Sequence, residues 1–255
     1  MFAIYKKELR SYFINAIGYV YVGVFLAASA LMLCLTTLKQ SSYDTSSYFQ
    51  LLLYSFIILI PLLTMKLFSE EKKLRTEEKK LRTEQLLLTA PVTIWGMTLG
   101  KFFSAFTIFF GSLLASCINL FPLYSYANQE RAAAEYSVIH IGPSSARVIG
   151  CLIGITLIGA AFIAIGMFVS SLTENQLASA VITISIILVM LLLASINSQI
   201  DSYAVRVVLD WFCVLSRFAA FTNGYIDYAA IIYYISITGV FLLLTVRVYD
   251  KRRWG

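Results

Sequence analysis

Residues 148–171 read VIGCLIGITLIGAAFIAIGMFVSS, twenty-four positions without a charged side chain. About 20 consecutive apolar residues suffice for an α-helix to cross a bilayer core, so this stretch spans one with length to spare. Five further stretches share its character, at about 16–38, 48–68, 102–123, 177–196 and 229–246. The whole chain follows the same pattern. Of its 255 residues, 59% are hydrophobic and 13% charged, whereas soluble domains run at about 45–50% and about 25%. Most of the chain cannot face water, which excludes a soluble enzyme, a disordered chain and a disulfide-stapled secreted domain. The expected fold class is all-α: a polytopic membrane protein with six transmembrane helices, formed by residues 1–255 as a single domain.

The polar chemistry is sparse. His140 is the only histidine, which removes the main ingredient of His/Cys zinc sites, catalytic triads and histidine proton relays. Cys34, Cys117, Cys151 and Cys213 form no CxxC pair. The first three lie in apolar runs and read as buried free thiols. No catalytic residue, cofactor or metal ligand set is expected. Gly96-Met97-Thr98-Leu99-Gly100-Lys101-Phe102 is a near miss to a phosphate-binding loop, which needs four residues between its glycines and Ser or Thr after the lysine. Lys101 reads instead as a cytoplasmic anchor of the third span. The net charge of +6 would suggest nucleic acid only on a solvated face. Here the basic residues flank apolar spans, so no nucleic-acid partner is expected.

Residues 2–15 precede the first span. Phe2, Tyr5, Leu9, Tyr12 and Phe13 fall on one side of a helix, with Lys7, Arg10 and Ser11 on the other, the pattern of an interfacial helix in contact with membrane lipid. The alternative is a plain extension of the first span. The apolar run after Lys6, Lys7 and Arg10 is longer than a signal-peptide core and reads as a retained span. Pro61 is expected to kink the second span by removing a backbone donor. Residues 197–228 mix Asp201, Arg206, Asp210, Arg217 and Asp227 with Trp211, Phe212, Leu215, Phe218 and Phe221, and read as amphipathic or re-entrant helices before the last span.

Orientation follows from the basic residues. Lys6, Lys7 and Arg10, the eight from Lys66 to Lys101, and Arg247, Lys251, Arg252 and Arg253 make fifteen on one side. Lys39, Arg131, Arg147, Arg206 and Arg217 make five on the other. The positive-inside rule therefore places both termini and the 69–98 loop in the cytoplasm.

That loop holds a tandem repeat. Residues 70–76 read Glu-Glu-Lys-Lys-Leu-Arg-Thr, and residues 77–83 repeat them. Seven residues lengthen a helix by ~10.5 Å and rotate its faces by only ~20°. Only one heptad position is apolar, which favours a solvated helix continuing the second span over a coiled coil. Glu84, Gln85, Leu86, Leu87, Leu88, Thr89, Ala90, Pro91 and Val92 follow, too short to span and stopped before the proline. Composition alone leaves this segment open between a docking surface for a cytoplasmic partner and a helix packed under the bundle.

The run Phe68-Ser69-Glu70-Glu71-Lys72-Lys73, with Arg82 through Val92 and Leu99-Gly100-Lys101-Phe102, resembles the cytoplasmic-loop signature of type-two ABC exporter permeases. Among these it is most similar to the gliding-motility-type and nitrous-oxide-reductase-maturation-type permeases. Ser170 through Gln176 resembles their second cytoplasmic turn. Phe218 to Asp227, Tyr233 to Ser236 and Arg252-Arg253-Trp254 resemble their C-terminal third. The second heptad copy departs from the family pattern. The resemblance implies the transmembrane subunit of an ATP-driven exporter in a bacterial plasma membrane. It would pair with a second copy or a paralogue and engage a dimer of separate cytoplasmic ATP-binding subunits through residues 84–92. Thr173, Glu174, Asn175 and Gln176 would form a smaller second contact. Residues 197–228 would gate the outer face, with Phe218, Phe221, Asn223, Gly224 and Asp227 as candidates. An outer or periplasmic partner, driven mechanically, is also compatible with this family.

The spans offer few ionisable groups, whereas ion-coupled transporters place Asp, Glu or His at mid-membrane. A secondary transporter or channel is therefore the second reading, and a membrane-embedded enzyme the third. Gly150 and Gly154 form a GxxxG, with Ala160 and Ala164 continuing the small residues. They suit close helix packing, either between two copies or within one bundle. Ser112, Ser116, Asn119, Thr156 and Thr183 either line a pathway or bond to their own helices.

Overall fold

The computed structural model describes residues 2–38, 45–69, 93–133, 143–197, 206, 209, 211 and 213–254. Among the described residues every regular element is a helix. In chain order these are α1 (Phe2–Ile14), α2 (Ile17–Leu33, continued by a π-turn at Cys34–Leu38), α3 (Ser46–Thr64) and α4 (Ile94–Ser116). After a 3-10 turn at Cys117–Leu120 come α5 (Phe121–Ala133), α6 (Ser145–Leu172), α7 (Gln176–Asn197), α8 (Val214–Thr222) and α9 (Tyr228–Trp254). Six helical stretches are long and apolar enough to cross a membrane: Ile17–Thr37, Ser46–Thr64, Ile94–Asn128, Ser145–Leu172, Gln176–Ala194 and Tyr228–Lys251. The chain is an all-α, multi-pass membrane protein.

The centre of the bundle is α6. In its most apolar window 67% is buried, against 28% in α2 and 22% in α7. Glycine explains how so many neighbours reach it. A Cβ at Gly150 would press on Phe221 O at 2.9 Å, and one at Gly154 would meet the Phe218 ring at the same distance. A Cβ at Gly159 would collide with the Phe109 ring of α4, and one at Gly166 with Thr64 of α3. The GxxxG thus packs within the chain, against α8. Cys151 Sγ adds a weak bond to Phe221 O at 3.7 Å.

Several boundaries differ from the sequence reading. The third spanning helix begins at Ile94, so Lys101 lies within it and not at its edge. The same helical path continues to Ala133, through the polar residues expected to end it. Pro122 sits in the first turn of α5, where its missing N–H costs least, and the 3-10 turn just before it absorbs the break. The second spanning helix passes through Pro61 and ends at Thr64, followed by a turn at Met65–Phe68. Cys34 is exposed, Cys117 half-buried, and only Cys151 and Cys213 are buried. An apolar run at a bilayer-spanning position can face lipid as readily as protein, which is why burial of Cys34 did not follow.

Helix α1 is separate from α2. Ala16 adopts a left-handed conformation, φ 56°, at the break between them. Gly18 lets the elbow close, since a Cβ there would stand 3.1 Å from Tyr12 O. The buried side of α1 is rotated from the expected one. Tyr12 is buried, while Glu8 and Leu9 are partly covered. Phe2 and Phe13 lie outward, 77% and 38% exposed. The cause is an ion pair made by Glu8.

Candidate functional site

The carbonyls in the last turn of a helix have no partner within it. At the end of α3 they are satisfied by side chains from elsewhere in the fold. Tyr12 of α1 donates its hydroxyl to Leu63 O at 2.8 Å. Lys101 of α4 donates Nζ to Leu67 O at 2.7 Å. Ser170 of α6 donates to Met65 O at 3.3 Å, and Ser69 also donates to Met65 O. The backbone N–H groups of Phe68 and Ser69 both donate to Ser170 Oγ at 3.1 Å. A hydroxyl offers one donor and two acceptor sites, so Ser170 is fully used at this junction.

Lys101 is the only charged side chain in the buried class among the described residues, 2% exposed. Burying an ammonium is costly unless it is paired and hydrogen-bonded. Here Nζ reaches Glu8 Oε1 at 3.1 Å. It also lies 5.2 Å from the centroid of the Phe68 ring, a favourable position for a cation. That ring packs against Tyr249 of α9, with centroids 4.7 Å apart. Burial, with the nearby Glu8 carboxylate second, pushes the Tyr12 hydroxyl well above its ordinary acidity range. It therefore remains a donor at neutral pH. Side chains of α1, α4, α6 and α9 thus converge where the chain leaves α3, so α1 and the C-terminal part of α9 share one end of the bundle.

The turn expected as a second contact lies beside this junction. Thr173, Glu174 and Asn175 connect α6 to α7, three residues beyond Ser170. Asn175 caps α7, its Oδ1 accepting from Leu177 N at 3.0 Å. Thr173 Oγ1 bonds to Val169 O at 3.2 Å. Glu174 and Asn175 are exposed, and Gln176 opens α7 half-buried. Residues 84–92, expected to carry the main contact, and the 70–83 repeat lie outside the described residues.

The gate candidates lie at the opposite end and divide by chemistry. Phe218 and Phe221 are buried at 1% and 0%, filling the Gly150–Gly154 notch. Asn223 and Gly224 end α8. Gly224 N donates to Phe221 O and Tyr225 N to Ala220 O, at 3.0 and 3.2 Å, which is a Schellman cap. It requires the left-handed φ of 81° at Gly224. Asp227 begins α9 by accepting from Ala229 N at 2.9 Å. Nearby, Arg217 lies over the Tyr233 ring at 4.3 Å. Tyr234 OH donates to Val214 O at 2.8 Å. Ser46 Oγ of α3 donates to Thr222 O at 3.2 Å.

The scattered polar residues bond mostly to their own helices: Ser112 to Phe109 O, Ser116 to Leu113 O and Thr156 to Leu152 O at 2.7 Å, and Thr183 to Ser179 O at 2.8 Å. Asn119 differs, since its Nδ2 donates across to Ser29 Oγ of α2 at 2.8 Å. The sequence reading missed Glu8, Tyr12 and Ser170 as members of a site. Glu8 gave one signal, since it falls between Tyr5 and Tyr12 on the covered side of α1. No protein-family model matches the chain, and no curated protein matches it.

Proposed function

We propose that this chain is the transmembrane permease subunit of an ATP-driven ABC exporter, coupled to a separate cytoplasmic ATP-binding subunit through residues 84–92. One observation carries the reading. Ser170 accepts from both Phe68 N and Ser69 N, where the chain departs toward that segment, and lies three residues from the 173–176 turn. The residues that lead in sequence toward the first segment assigned to ATPase contact, and the helix end that leads into the second, thus meet at one hydroxyl of the central helix. Movement of residues 68–69 or of the 173–176 turn would act on α6, and α6 touches α3, α4, α7, α8 and α9. The distribution of basic residues supports a cytoplasmic location for this end. In this reading the membrane is a bacterial plasma membrane, the permease acts as a pair, and Phe218 and Phe221 gate the outer face.

The competing reading, a secondary transporter or channel, needs ionisable groups at mid-membrane. Lys101, the buried cation, instead sits at the junction and is paired with Glu8.

The test is purification of tagged protein with the ATPase encoded beside it. Wild type should retain the ATPase. A variant with Leu86, Leu87 and Leu88 each changed to Glu should insert normally but lose it. If wild type brings down no ATPase, or the variant binds it equally, the reading is wrong.

A further inference from the structure

Helix α1 has one carboxylate, Glu8, and three basic side chains, Lys6, Lys7 and Arg10. Glu8 is turned inward to Lys101, so the exposed side keeps cations without a counter-charge. Lys6, Lys7 and Arg10 are all exposed, and none is paired with a carboxylate among the described residues. Lys6 and Arg10 are four apart and Lys7 and Arg10 three apart, so like charges repel on one surface. Exposed apolar groups border them: Phe2 at 77%, Ile14 at 70% and Phe13 at 38%. The helix also lies against a spanning helix, with the Tyr5 hydroxyl 3.2 Å from Thr107 Oγ1. An acidic protein would neutralise the cations but leave Phe2 and Ile14 in water. A lipid surface satisfies both.

We propose that the outward face of α1 (Lys6, Lys7 and Arg10, bordered by Phe2, Phe13 and Ile14) binds the phosphate headgroups of anionic phospholipid. The helix is then held from two sides, by lipid outside and by the Glu8–Lys101 pair inside. Glu8, one or two residues from each of these cations, projects from a different side of the helix and is engaged by Lys101. This inference is independent of the exporter reading.

The test reconstitutes the full chain in phosphatidylcholine vesicles holding trace spin-labelled phosphatidylglycerol or spin-labelled phosphatidylcholine. The motionally restricted fraction of each label is then measured. Wild type should favour phosphatidylglycerol by at least about twofold at low salt, and about 0.5 M salt should weaken the preference by screening. K6Q/K7Q/R10Q should abolish most of it, each single glutamine variant should remove a smaller share, and K6R/K7R/R10K should retain it. K79Q/K80Q/R82Q, with the same charge loss in the loop, should leave it unchanged. The proposal fails if the α1 variants match wild type, or if the loop variant lowers the preference as much as the α1 variant does. It also fails if millimolar inorganic phosphate abolishes the preference, because the surface would then take the free ion.

Discussion

Lys101 Nζ donates to Leu67 O at 2.7 Å, across a sequence separation of 34 residues. Leu67 precedes the 70–92 segment in sequence and Lys101 follows it, so one hydrogen bond ties the turn after α3 to the second turn of α4. Removing one partner of a buried pair costs roughly 3–5 kcal/mol when the other is left fully buried. Glu8 keeps 16% exposure and can recover some hydration. Lys101→Met should therefore destabilise by about 2–3 kcal/mol, and Glu8→Gln by about 1 kcal/mol. In thermal unfolding of the detergent-solubilised chain the double variant should be non-additive by at least about 0.5 kcal/mol. Strict additivity would show that the two groups do not interact.

Ser170→Ala leaves Phe68 N and Ser69 N without their acceptor in a buried place. The expected cost is about 1–3 kcal/mol. Within the exporter reading, coupled ATP turnover should fall further than stability alone explains. Glycerol or a lower temperature restoring stability would not restore turnover. Recovery of both together would reduce Ser170 to a structural cap.

Tyr12 supplies a pH dependence whose sign can be worked out. Its acidity is lowered in the fold, so the folded chain holds this proton more tightly than the unfolded chain does. The associated stability is complete below the ordinary tyrosine value of 10 and declines as pH rises beyond it. Tyr12→Phe should cost about 1 kcal/mol at neutral pH by losing the bond to Leu63 O. The gap between wild type and variant should narrow on raising the pH through about 10–11. A constant gap would contradict the assignment.

Gly159→Leu should disrupt the crossing of α6 with α4, where even a methyl group meets the Phe109 ring. Overpacking of this kind costs about 1–3 kcal/mol, sometimes more. Phe109→Ala in the same chain should recover part of the loss by making room. Absence of any rescue would mean that the two helices do not touch there.

Deleting residues 77–83 should preserve membrane insertion, because no spanning helix is altered. Within the exporter reading it should change coupled ATP turnover, since the segment loses seven residues. Unchanged turnover would make the second copy a passive spacer.

The six spanning helices were legible because a bilayer imposes length and apolarity on each one independently. Hydropathy has one number per window and needs no partner. The junction was not legible for the opposite reason. Lys101 near the start of an apolar run looks like an interfacial anchor, and only a carboxylate arriving from α1 makes its burial affordable. Ser170 likewise reads as a small polar residue near a turn, until the end of α3 arrives against it. The GxxxG signalled close packing correctly but could not name its partner, because Phe218 and Phe221 are more than sixty residues away. Asn223, Gly224 and Asp227 have capping positions at the end of α8 and the start of α9. Residues chosen to stop one helix and start the next have the same composition as residues exposed for function.

The glycines of α6 make mutational risk unequal between partners. At each crossing the volume belongs to the neighbour: Phe218 and Phe221 from α8, Phe109 from α4, Thr64 from α3. Trimming one neighbour opens a local gap that the others need not notice. Adding a side chain to α6 instead shoves a whole helix aside, and every helix resting on α6 must re-register with it. Tolerance to substitution should therefore be lowest along a line of residues that contribute no side-chain contact of their own.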